Sequence, residues 1–122
     1  MRALGAEVDT FSLELQCCGG AGGFRHSSHE AACRFTKQKL DSILDETQAD
    51  FIVVSCITCL MHLDDVQKEL SEGNGRYALP VFDYAQLLAL CMGFPEKEVA
   101  SISTVPRTGI LERIAADPAG VA

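Results

Sequence analysis

Cys17 and Cys18 are adjacent and run straight into the glycine-rich stretch Gly19-Gly20-Ala21-Gly22-Gly23, and a second pair, Cys56 and Cys59, follows after thirty-seven intervening residues. Two adjacent cysteines and two spaced i,i+3 converge on one point when each pair sits where a strand turns into a helix. A fold that uses these thiols together must therefore bring two distant loops to the same edge of the molecule. Thiolates bind soft metals strongly, so the pattern points to a metal or redox centre held by Cys17, Cys18, Cys56 and Cys59.

The chain has 122 residues, 48% of them hydrophobic, enough for one domain spanning 1–122 with a single core that needs no disulfides as its main staple. Its formal net charge of -7 argues against nucleic acid as a partner, because phosphate binding needs clustered Lys and Arg. No run of eighteen apolar residues exists, and the N-terminus has neither a basic nor an apolar leader region. These features place the expected location in the cytoplasm. In that reducing compartment the six cysteines read as ligand or redox groups rather than as a disulfide framework.

Periodicity gives the organisation. Val8, Phe11, Leu13 and Leu15 alternate loosely, which predicts a strand over 8–16 ending in the glycine turn. Ser27-Ser28-His29-Glu30 resembles a capping box before a helix over about 28–48, with Cys33, Leu40, Ile43 and Leu44 near one face and Lys37, Lys39, Asp41 and Asp45 mostly outside. Phe51–Ser55 is a continuous, largely β-branched run, as in a strand buried on both faces, and it ends at Cys56. Leu60, Leu63, Val66 and Leu70 then repeat at helical spacing until Glu72-Gly73-Asn74-Gly75-Arg76. A third strand is expected over Tyr77–Phe82, and Asp83 with Gln86 caps the helix through Leu87–Cys91, which Gly93 and Pro95 end. A short helix is expected at 109–116 and a frayed tail at Asp117-Pro118-Ala119-Gly120. The repeated alternation predicts a three-layer α/β fold with a mainly parallel sheet of three to four strands flanked by helices.

In such a sheet both cysteine pairs fall on the edge where strands feed helix N-termini, and there amide groups and the helix dipole favour thiolate and other negative charge. Gly19, Gly20 and Gly22 are the candidate cofactor-binding positions, since missing side chains let backbone approach a bulky inorganic group. On that reasoning Gly19→Val is expected to harm cofactor binding more than folding.

Cys-Cys-Gly with its glycine cluster, then Cys56-Ile57-Thr58-Cys59 followed by Leu63, Asp64 and Gln67, then Leu79-Pro80-Val81 and Gln86-Leu87-Leu88, resembles the cysteine-rich CCG domain found in the catalytic B-type subunit of heterodisulfide reductase. The resemblance covers roughly residues 11–100. It implies a subunit with two such domains and non-cubane [4Fe-4S] clusters that reductively cleaves a disulfide between thiol coenzymes, using electrons from iron-sulfur and flavin partner subunits. Cys17, Cys18, Cys56 and Cys59 match four of the family's ligand positions, while catalysis is assigned to the cluster and to no side chain. The family's isolated cysteine, thirty-odd residues before the Cys-Cys pair, has no counterpart in the sixteen residues that precede Cys17, and the gap between the pairs is slightly long. The expectation is a C-terminal piece of a two-domain subunit, lacking its N-terminal CCG domain, inactive alone, holding zinc or no metal when isolated, and prone to homodimerise through exposed apolar surface.

Two other readings stand beside this one: a structural zinc site with four cysteine ligands, and a thioredoxin-like dithiol at Cys56 and Cys59, for which Pro80 is the position to check. The glycine run lacks the Gly-Lys-Ser/Thr ending of a phosphate loop. Cys33 is a candidate replacement ligand or a small buried hydrophobe, and Cys91, among leucines, reads as core. His26, His29 and His62 read as surface or capping groups, with hydrogen bonding to a cluster as the alternative. Arg25 reads as a surface cation or a partner for an anionic substrate group, and Asp64, Asp65 and Glu69 as the polar face of a helix.

Overall fold

The computed structural model describes residues 1–20, 22–72 and 75–116. Two strands, β1 (Ile52–Val54) and β2 (Val81–Asp83), pair in parallel with Ile52 opposite Val81, Val53 opposite Phe82 and Val54 opposite Asp83. The helices are α1 (Phe24–Ser27), α2 (His29–Glu46), α3 (Ile57–Ser71), α4 (Tyr84–Cys91), α5 (Glu96–Val99) and α6 (Thr108–Ala116), after a 3-10 turn at Arg2–Leu4.

Because side chains alternate across a strand, the short sheet separates two cores. Leu40, Leu60, Leu63, Tyr77 and Val81 fill one, with Ile52 and Val54 against them. Phe82, Leu87, Leu90 and Ala100 fill the other, with Phe51, Val53 and residues of α6. The α/β layering expected from the sequence is present, with helices on both faces of a parallel sheet. The sheet has two strands among the described residues, fewer than expected.

Each departure has a local cause. Residues 8–16 form no strand: Glu14 and Gln16 donate back to the carbonyls of Phe11 and Leu13 in successive turns, and Leu15 is 95% exposed. The third strand shortens because side chains occupy its leading backbone. Gln67 donates Nε2 to the Leu79 carbonyl at 2.9 Å and accepts from the Leu79 amide at 2.8 Å, while Ser71 Oγ donates to the Tyr77 carbonyl at 2.7 Å. The capping box before α2 does not form, since Ser27 belongs to α1 and turns its hydroxyl back to the Phe24 carbonyl, leaving Ser28 without a side-chain cap bond. At α4 the expected box is complete: Asp83 accepts from the Ala85 amide at 2.9 Å, and Gln86 Oε1 accepts from the Asp83 amide at 3.0 Å.

Asp64 is buried, not on a polar face. Its carboxylate accepts from the Thr104 amide at 2.9 Å, the Val105 amide at 3.0 Å and the Ser103 hydroxyl at 2.7 Å, pinning the segment before α6 to α3. Cys91 is partly buried against the second core, as expected. Gly73, Asn74 and the tail from Asp117 lie outside the described residues.

Candidate metal centre

The two cysteine pairs meet. Cys18 Sγ and Cys59 Sγ, forty-one residues apart in sequence, are 2.9 Å from one another as free thiols. Cys56 is the N-cap of α3, where β1 turns into the helix, and Cys59 follows in the first turn, so the second pair sits at a helix start as expected. The backbone amides of Cys59 and Thr58 hold the Cys56 thiol below its ordinary pKa. Burial, then the neighbouring thiols of Cys18 and Cys56, push Cys59 up to about 12. The centre thus contains an exposed sulfur drawn toward its thiolate beside a half-buried one that holds its proton more tightly. Cys17 is exposed, and its sulfur accepts from the Gly19 amide at 3.4 Å.

Three side chains hold the first pair in place: Lys39 and Thr36, which sequence patterns did not single out as site residues, and His62, read as a surface or capping group but buried. Lys39, expected outside, instead points its ammonium into the turns before Cys17 and donates to the carbonyls of Leu13 at 3.1 Å, Glu14 at 2.9 Å and Gln16 at 2.6 Å. Burial lowers its pKa, and the thiols of Cys18, Cys17 and Cys59 pull in the opposite direction, which puts a cation within electrostatic reach of three of the four sulfurs. Thr36 Oγ1 donates to the Cys18 carbonyl at 2.6 Å and lies 2.8 Å from His62 Nε2. His62 is buried, and burial, aided by the Arg25 guanidinium, lowers its pKa, so a neutral imidazole donating Nε2–H to Thr36 suits the arrangement. Its Nδ1 has no hydrogen-bond partner. A lysine three residues after a buried threonine on one helix carries no sequence signature of this kind; only the turn at 11–16 would have suggested it.

Two of the glycines answer to a packing constraint that the sequence does not display. A Cβ on Gly19 would lie 2.9 Å from the Ala32 carbonyl, at φ +91°, and one on Gly20 would lie 2.7 Å from Cβ and Cγ of His62. Both are small because the loop presses against α2 and α3, so Gly19→Val is expected to damage folding directly. Gly22 has open space around it and needs only its φ of +66°.

Other candidates sit elsewhere. Arg25 bridges Asp65 at 3.0 Å and Glu69 at 3.4 Å, while Cys33 and His29 face Glu69 on the later turns of α3 instead of joining the four cysteines. Cys59 has a sulfur from another stretch of chain in direct contact, which a CxxC dithiol acting alone does not require. The centre opens on a cleft of about 1170 Å³ bordered by Gln16, Cys18, Cys56, Cys59, Lys39 and the length of β1.

Residues 1–64 match the cysteine-rich domain family CCG, a span that includes both cysteine pairs. The chain belongs to that family. This CCG chain is 41% identical over 113 residues to a protein of Archaeoglobus profundus described as like the B-type subunit of heterodisulfide reductase, covering 92% of the chain and 38% of the relative. It is 34% identical over 95 residues to the B-type subunit of the ferredoxin:CoB-CoM heterodisulfide reductase of Methanosarcina mazei, covering 77% and 31%. An iron-sulfur protein of Methanococcus maripaludis is 35% identical over 74 residues, covering 60% of the CCG chain and 15% of that protein. The chain therefore spans about a third of the length of the two reductase relatives. No solved structure matches it significantly. Among the described residues no helix is long and apolar enough to cross a membrane.

Proposed function

We propose that the chain is the cluster-binding CCG unit of an oxidoreductase like the B-type subunit of heterodisulfide reductase, with Cys17, Cys18, Cys56 and Cys59 as thiolate ligands of a [4Fe-4S] cluster of the non-cubane type. The 2.9 Å approach of Cys18 to Cys59 carries this reading, because it gathers sulfurs from two remote loops at one point. The donor set fits: all-sulfur ligation suits iron-sulfur clusters, and the Lys39 ammonium and the amides at the start of α3 supply positive potential for an anionic group. When bound, such a cluster supplies single electrons for the reductive cleavage of a disulfide to two thiols. The chain's own part is positional. Gly19, Gly20 and Gly22 shape the loop, Thr36 and His62 fix Cys18, and Lys39 holds the turn ahead of Cys17.

In this reading a companion CCG domain and the remaining ligand of the family pattern complete the centre, and iron-sulfur and flavin subunits deliver electrons in the cytoplasm. The open cleft along β1 and the exposed Leu15, Ile57 and Met61 around the cysteines support a covering partner on this face.

Anaerobic reconstitution with iron and sulfide tests the reading. Equal amounts of iron and sulfide with a visible charge-transfer spectrum are expected, lost in the Cys18→Ser and Cys59→Ser variants. A colourless protein that takes up only stoichiometric zinc at these cysteines would favour a structural zinc site. Reversible Cys56 to Cys59 oxidation without metal would favour a dithiol enzyme.

A further inference from the structure

Away from the four cysteines, a second group of metal-type donors converges between α2 and α3. His29 and Cys33, four residues apart on α2 and so on one face of it, meet Glu69 of α3. His29 Nε2 lies 3.0 Å from Glu69 Oε2, and Cys33 Sγ lies 3.5 Å from each of those atoms. A tetrahedral zinc ion with ordinary bond lengths to imidazole, thiolate and carboxylate separates its ligand atoms by about 3.4–3.6 Å. Two edges of the triad already have that length, and the third needs to open by about 0.4 Å.

The surroundings suit the same ligand. Arg25 NH2 engages Glu69 Oε1 at 3.4 Å while NH1 bonds Asp65, so the carboxylate is oriented from behind with Oε2 left facing His29 and Cys33. Outer partners of this kind fix ligating carboxylates in metal sites. One sulfur, one nitrogen and one oxygen select a borderline-soft transition ion over magnesium or calcium, which take oxygen ligands. A thiolate and a carboxylate together neutralise a divalent charge. His29 and Glu69 are 53% and 44% exposed, so the ion can arrive from solvent and water can complete its coordination. Glu69 lies ten residues beyond Cys59, about 15 Å along the axis of α3, which separates this triad from the cysteine centre.

We propose that His29, Cys33 and Glu69 form a second metal site that binds one divalent transition ion, zinc in the first instance, with water as the fourth ligand. Anaerobic cobalt(II) titration of the 122-residue chain carrying C17S, C18S, C56S and C59S tests it, with far-ultraviolet circular dichroism as the check on folding. One equivalent of cobalt is expected to bind with a thiolate-to-metal charge-transfer band that zinc displaces. Adding C33S removes the band, H29A or E69Q weakens binding at least tenfold, and R25Q weakens it about tenfold while keeping the band. No band in the folded quadruple variant, or a band that survives C33S, overturns the proposal. Should the quadruple variant not fold, zinc content is compared between the iron-loaded chain and its C33S variant at equal iron. Stoichiometric zinc in the former and none in the latter supports the site; zinc in both, or in neither, overturns it.

Discussion

Gly20 and Gly22 stand two residues apart in the same loop and are glycine for different reasons, which makes them a useful pair. A methyl group on Gly20 collides with the buried His62 ring, whereas on Gly22 it meets nothing within 4 Å and suffers only the left-handed backbone. Gly20→Ala is expected to destabilise the chain by about 2–3 kcal/mol through overpacking, and Gly22→Ala by about 1 kcal/mol. Urea denaturation of the metal-free protein measures both, and equal losses would contradict the assignment. The thiols separate in a similar way. Near neutral pH, iodoacetamide is expected to modify Cys56 first and Cys59 slowly, read by peptide mass mapping, because only the former is drawn toward its thiolate. The folded chain holds the Cys59 proton more tightly than the unfolded one. The stabilisation from that proton is therefore complete below about pH 9.0 and declines as pH climbs toward about 12. Melting temperature of the metal-free chain across that alkaline range checks the sign, and a Cys59→Ser variant should show a shallower decline.

At the scale of elements, the contacts that position the site run between side chains and bare backbone. Lys39 of α2 donates to three carbonyls of the turns before Cys17, so Lys39→Met is expected to cost about 2 kcal/mol and to lower the iron retained after reconstitution. Iron content unchanged from wild type would show that the turn does not need its cation. Asp64 anchors residues 103–105 to α3. Burial alone would raise its pKa, but hydrogen bonds from Thr104, Val105 and Ser103 hold it below the ordinary carboxylate value. That contribution is present above the unfolded value near 3.8 and is lost as pH falls through the lower folded one. Asp64→Ala should cost about 3 kcal/mol and speed amide exchange at Thr104 and Val105.

These two elements also show what a sequence displays and what it hides. The β-branched run at 51–55, the helical repeat from Leu60 and the Asp83 to Gln86 box depend on periodicity and neighbouring residues, and they appear where periodicity put them. The placement at a strand turning into a helix held for Cys56 and Cys59 at the start of α3, whereas Cys17 and Cys18 follow successive turns and no strand, and still meet the second pair. The turn at 11–16 was not legible, because alternation of Val8, Phe11, Leu13 and Leu15 cannot reveal that a lysine of α2 would take the carbonyls a sheet would have used. Asp64, Gln67, Thr36 and His62 are buried polar residues, and the bonds that tie them to other segments reach partners 12 or more positions away. Local pattern does not reveal those partners.

For the molecule as a whole, the cysteine face combines an open cleft with exposed apolar residues, Leu15 at 95% above all. The chain by itself is expected to self-associate, measured by sedimentation velocity across a concentration series, and Leu15→Asp with Ile57→Asp should shift it toward monomer. A monodisperse monomer at high concentration would count against a covering partner on this face. The hydroxyl of Thr36, joined at once to the Cys18 carbonyl and to His62, ties the first thiol pair to two helices. Sulfur spacing is consequently set by how two rods lie together: a change that slides α2 along α3 moves the knots, whatever the cord between them does.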